Sequence, residues 1–138
     1  MAGIWRLFLA TPEAVPAARH ALEDLEEVDM GTRRTLELLI SELVTNAVRH
    51  GASDPHESIL LRAEAINGMI RVEVCDEGGS HFTEPVEPGD MLEPGGNGLL
   101  LVDTLADRWG VEPGQPTCVW FEADRVPAAA WPEQRSQE

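Results

Sequence analysis

Basic residues are scarce in this sequence. Ten Lys and Arg stand against 25 Asp and Glu, a formal charge of −15 over 138 residues. A deficit of that size opposes the many cation contacts that hold a phosphate backbone, which argues against nucleic acid as a direct partner. Long apolar runs are also missing, and none approaches the ~20 residues that a membrane-spanning helix needs. Near the start there is only Arg6 and a short apolar patch, with no small-residue cleavage pattern after it. No secretory signal is therefore expected, and the expected location is the cytoplasm. Cysteine is limited to Cys75 and Cys118, each inside an apolar run. Free thiols acting as small hydrophobes are expected there, a disulfide being the less favoured reading, and nothing in their surroundings resembles a metal site.

What is present is enough for one domain. At this length folding removes about two thirds of the extended chain's surface from water, and 43% apolar residues supply a core. The run "IWRLFLA" over 4–10 suits an edge strand, followed by a helix with Thr11 as N-cap and Pro12 as its first residue, running to about Glu27. A second helix is expected from a Thr32 cap to about His50, ended by Gly51, with Leu36, Ile40, Leu43 and Ala47 stepping at helical intervals. Two strands then meet at Asn67-Gly68, the dipeptide most typical of a tight hairpin. In the second of them Ile70, Val72 and Val74 alternate with Arg71, Glu73 and Cys75. From Glu77 to Asn97 periodicity vanishes among three Pro and five Gly, the pattern of a long functional loop. A third helix is expected from Gly98 to near Asp107, then strands around Trp109–Val111 and Thr117–Glu122. Trp109 and Trp120 are read as core or strand packing. The expected domain is residues 1–125, with 126–138 a flexible tail.

The stretch "SELVTNAVRHG" places a carboxylate, a carboxamide and a cation in a helix that is otherwise apolar. At i, i+4 and i+7, Glu42, Asn46 and Arg49 share one face, opposite or flanking the apolar stripe. Such a row also fits a solvated polar face, and the helix alone does not choose. Arg49 fits either an offset for phosphate charge or an ordinary surface arginine. Further along, "VCDEGGS" sets Asp76 and Gly78 at a strand end, where a carboxylate can accept from an exocyclic amine and a glycine lets a ring approach the backbone. "GGNGLLLV" sets Gly95, Gly96 and Gly98 before a helix, where free N–H groups attract phosphate.

The ordered set of Glu-x-x-x-Asn on a helix, Asp-x-Gly after a strand, a long loop, and Gly-x-Gly-Leu opening a helix resembles the GHKL ATPase superfamily. Within it, "ELVTNAVRHG" and "GNGLLLVDTLADRWGV" resemble the small bacterial anti-sigma-factor serine kinases. The resemblance implies an α/β two-layer sandwich of the Bergerat type, with a mixed, mostly antiparallel sheet, three helices on one face and a long ATP lid over 77–97. It implies ATP and Mg²⁺ as cofactors. Asn46 corresponds to the magnesium ligand and Glu42 to the catalytic base. Asp76, Gly78 and Thr117 correspond to the adenine site, and Gly96, Gly98, Leu99 and Arg49 to the phosphate side. The implied partners are a sigma factor and an anti-sigma-factor antagonist, with a homodimer through sheet edges near the first strand. The chain departs from the family pattern in two places: Ser80 stands where a glycine is usual, and 77–97 holds five carboxylates and no Lys or Arg. Two functions follow, an ATP-dependent serine kinase and a nucleotide-gated binding module of the same fold.

Overall fold

The computed structural model describes residues 3–25, 28–51, 54–77 and 99–124. Five strands, β1 (Gly3–Leu9), β2 (Ser58–Ile66), β3 (Met69–Asp76), β4 (Arg108–Glu112) and β5 (Thr117–Asp124), form one sheet in the order β1-β2-β3-β5-β4. Every pairing is antiparallel, so the mixture of strand directions allowed by the sequence reduces to the antiparallel case. Three helices, α1 (Ala14–Ala21), α2 (Met30–Asn46) and α3 (Leu99–Leu105), complete the second layer. Among the described residues no helix is long and apolar enough to cross a membrane.

The two layers follow from the period of two in each strand. Ile59, Leu61 and Ala63 on β2, Ile70, Val72 and Val74 on β3, and Val119, Phe121 and Ala123 on β5 are all buried. Their neighbours Arg62, Arg71, Glu73, Trp120 and Glu122 lie on the opposite face, which is helix-free among the described residues, as alternation requires. The β2–β3 hairpin turns at Asn67 and Gly68 with φ of 50° and 81°, the pair of positive angles that a two-residue type I′ turn demands. On the helix side, Leu36, Leu39, Ile40, Leu43 and Val44 of α2 close over the inner row.

Helix boundaries depart from expectation through local hydrogen bonding. α1 begins at Ala14 with Glu13 as N-cap, because Ala14 N and Val15 N donate to Thr11 O and Pro12 O in tight turns before the helix proper. It ends at Ala21 and tightens into a 3₁₀ turn, Leu22–Asp24, short of Glu27, which lies outside the described residues. The cap of α2 is Asp29 rather than Thr32. Its carboxylate accepts from both Thr32 N and Thr32 Oγ1 at 2.9 Å, satisfying a free helix donor and a buried hydroxyl together.

One further correction concerns the helix-free face. Cys75 and Cys118 are not free thiols; they form a disulfide across the β3–β5 pair. They are register partners with Cα atoms 4.1 Å apart, the close spacing of a pair without mutual backbone hydrogen bonds. As expected of core and strand packing, Trp109 is buried in the core and Trp120 packs on the helix-free face of its strand. Arg71 stacks 4.3 Å from its ring centroid, and a Cβ added at Gly110 would meet its Nε1 at 2.9 Å. The glycine is the space into which that indole folds.

Because Asp29 satisfies two groups at the start of α2, Asp29→Ala is expected to lower folding stability by about 1–2 kcal/mol. Urea denaturation checks this. A Thr32→Val variant tested beside it isolates the share carried by the hydroxyl.

Candidate nucleotide-binding site

The candidate residues lie on α2 and the turn that follows it, on β3 and on β5, and both α2 and that turn pack against β3. Asn46 follows Leu39 and Leu43 at helical intervals, so the rotation that buries those leucines also carries Asn46 inward, to 6% exposure. The expected position opposite or flanking the apolar stripe is thus corrected to a place within it. Its Oδ1 is buried and has no hydrogen-bond partner among the described residues. Leaving such an acceptor unmatched costs about 1–3 kcal/mol. A buried carboxamide oxygen with an open lone pair fits a hard cation or its bound water, since these prefer oxygen ligands. Glu42, one turn earlier, is only half-buried.

Directly after Asn46 the helix widens into a π turn, Ala47–Gly51. Ala47 N already contacts both Leu43 O and Val44 O, where the tighter bonding gives way. Widening breaks the 3.6-residue count, so the i+7 spacing no longer places Arg49 in Asn46's row. Arg49 is exposed, while Val48 turns toward the core. Turns of this kind within helices occur frequently at functional sites.

On the sheet side, Asp76 continues the inner row of Ile70, Val72 and Val74 and is 7% exposed, with Thr117 as its register partner on β5 at 2%. This pair is the last rung of the β3–β5 ladder. Thr117 Oγ1 donates to Gly114 O at 2.8 Å, which ties the start of β5 to its preceding turn. Glu77 next accepts from Ser58 N at 2.7 Å and fastens the chain leaving β3 to the start of β2. Both α2 and the π turn pack on β3, so Asn46 and Asp76 arise from touching elements.

Of the phosphate-side residues, Leu99 is buried at the start of α3 and anchors that helix with Val102. Trp109 Nε1 donates to Asp103 Oδ1 at 2.8 Å and so fixes α3 to β4. Gly78, Gly96 and Gly98, and with them nearly all of the expected lid, lie outside the described residues. The structure therefore pairs Asp76 with Thr117 on the last rung of the β3–β5 ladder and packs β3 against the helix and turn that carry Asn46, while Glu42 is half-buried and Arg49 exposed. Sequence reasoning missed the disulfide behind this site. The signal was available: one cysteine precedes Asp76 and the other follows Thr117, so antiparallel pairing of Asp76 with Thr117 sets the cysteines face to face.

Comparison with known proteins agrees with this fold. Residues 8–122 match the family described as the histidine kinase-like ATPase domain. Serine-protein kinase RsbW of Bacillus subtilis (strain 168) is 33% identical over 88 residues, which cover 56% of this chain and 55% of that protein. The match thus spans about half the length of that curated relative. The histidine kinase domain of the Erythrobacter litoralis EL346 blue-light activated histidine kinase shares the fold with a TM-score of 0.53 and 23% identity, over 83% of this chain and 59% of that one. By the extent of the family match and the agreement of the fold, the chain belongs to the histidine-kinase-like ATPase domain family of the GHKL superfamily and is similar to the anti-sigma kinases within it.

Proposed function

We propose that this protein is an ATP-dependent serine kinase of the anti-sigma-factor type, phosphorylating an antagonist protein and sequestering a sigma factor. The observation that carries the nucleotide part is the buried, unmatched Oδ1 of Asn46, facing a layer whose strand ends in Asp76. Asp76 accepts the adenine amine, with Thr117 holding the same rung and Gly78 beside the ring. Asn46 holds Mg²⁺, which when bound neutralises phosphate charge and orients the phosphates. Gly96, Gly98 and Leu99 shape the phosphate side, and the exposed Arg49 supplies a cation there. Glu42 accepts the proton of the attacking serine hydroxyl, a task that suits a carboxylate because phosphoryl transfer needs positioning and charge balance more than covalent help.

The similarity to the Bacillus relative, a serine-protein kinase, supports transfer to serine. A second reading, a binder gated by ATP or ADP without transfer, is favoured by the five carboxylates of 77–97 and the lack of any Lys or Arg there. The homodimer is proposed through β1, an edge strand whose Trp5, Leu7 and Leu9 are 60%, 59% and 57% exposed. We place the protein in the cytoplasm, with residues 1–125 as the domain and 126–138 as a tail.

Two variants separate the adenine and metal roles. Asp76→Asn turns an acceptor toward an amine that is itself a donor, and is expected to weaken ATP binding by about 1–3 kcal/mol with or without magnesium. Asn46→Ala is expected to weaken binding only when magnesium is present. It also removes an acceptor that has no hydrogen bond to lose among the described residues. Calorimetric titration with and without magnesium reads both; equal losses under the two conditions for Asn46→Ala would refute the metal assignment.

Glu42 divides the two functions. Glu42→Ala is expected to leave ATP affinity within about threefold, because the carboxylate faces the acceptor hydroxyl and not the nucleotide. Phosphoryl transfer to the antagonist is expected to fall by about 10²–10⁴. Transfer of labelled phosphate to a panel of antagonists measures this, and a wild-type chain that phosphorylates none of them supports the gated binder.

A further inference from the structure

Cys75–Cys118 and Asp76–Thr117 are consecutive rungs of one ladder. The residues of a strand alternate, so the disulfide lies on the helix-free face, immediately behind the carboxylate and hydroxyl that face the helices. Asp76–Thr117 is the terminal rung, and a terminal rung is the part of a ladder that opens most readily. The covalent link one step inward removes much of that freedom. Cys75 is buried while Cys118 is half-buried, so Cys118 is the residue of the pair with solvent access, on the face away from the proposed nucleotide. A reductant can reach it without entering the nucleotide site.

We propose that the Cys75–Cys118 disulfide is a positioning element for the adenine-binding rung, and that thiol–disulfide exchange at Cys118 sets nucleotide affinity. The inference rests on the assignment of Asp76 to the adenine amine. In the oxidised chain the rung is preorganised and binding orders little. In the reduced chain the same rung is held by hydrogen bonds alone, and binding must first immobilise it. The exchange balances with a dithiol as reductant. Its thiolate attacks Cys118 Sγ and expels Cys75 as a thiolate, which takes up a proton. The second thiol then attacks the mixed disulfide, releasing Cys118, and the reductant leaves as its own disulfide, having given two electrons and two protons. Where thiol-reducing systems operate, disulfides in proteins are commonly transient and sensing rather than permanent.

The test uses the full chain, oxidised by glutathione disulfide or reduced by dithiothreitol, with ATP affinity measured by calorimetry and fold by far-UV circular dichroism. Thiol titration in denaturant is expected to find no free thiol in the first form and two in the second. Reduction is expected to weaken ATP binding by about two- to tenfold, reversibly, with an unchanged dichroism spectrum. Cys118→Ser is expected to show the weaker affinity under both conditions. Free thiols in the oxidised form, unfolding on reduction, or equal affinities in the two forms would each overturn the proposal. In the last case, if Asp76→Asn still weakens binding, the nucleotide site stands and only its redox control falls. Should Asp76→Asn bind ATP like the wild type in both forms, the site assignment fails and the proposal fails with it.

Discussion

The rotation of α2 about its own axis is the constraint on which the rest of the structure depends. Leu36, Leu39, Ile40, Leu43 and Val44 are almost fully buried against the inner row of the sheet. Each contributes about 1.5–3 kcal/mol of transfer free energy. Turning the helix to free Asn46 would expose several of them, whereas keeping Asn46 inward costs about 1–3 kcal/mol for one unmatched oxygen. The apolar stripe wins that comparison by a wide margin. The carboxamide is therefore held in a fixed, dry position by interactions that have nothing to do with a ligand, and this is what a preorganised ligand atom requires.

The sheet imposes a matching constraint from the other side. Alternation sends Ile70, Val72, Val74 and Asp76 to one face, so the strand that builds the core ends in a carboxylate aimed at the helices' layer. The opposite face carries no helix among the described residues and is covered by charge: Arg62 pairs with Glu73 at 3.2 Å, and Arg71 with Glu122 at 2.9 Å beneath its stack on Trp120. Surface pairs of this kind, with a partly exposed arginine, add little stability each. Their effect is to keep a wide sheet surface solvated, which leaves the apolar edge at Trp5, Leu7 and Leu9 as an exception on it.

Elements fixed by local patterns were legible in the sequence. Asn67-Gly68 specifies its turn by φ alone, and the alternation of β3 specifies which residues face inward. The stripe of α2 was legible for the same reason. What could not be read depended on competition between groups distant in sequence or close in chemistry. Asp29 and Thr32 are both good caps, and the choice followed from the carboxylate's ability to accept twice. The cysteines looked like two separate hydrophobes until the strand order placed them on one rung. Asn46 stood out in the sequence as a candidate but not as a buried residue, because the sequence shows its polarity and conceals that Leu39 and Leu43 outvote it.

The π turn resolves a conflict that a regular helix would have created. With 3.6 residues per turn, Arg49 falls three residues beyond Asn46 on the same side, so burying one draws the other toward the core. A guanidinium taken from water without a partner costs several kcal/mol, more than the single carboxamide oxygen does. Inserting one extra residue into the turn lets Asn46 stay inside and Arg49 stay exposed. That separation bears on how so acidic a chain accommodates a polyphosphate. At physiological salt, charges beyond about 8 Å are largely screened, so the formal charge of −15 acts weakly as a whole. On the proposed assignment the balance is set by the groups within that radius, and the exposed Arg49 contributes its charge there without the desolvation that burial would demand.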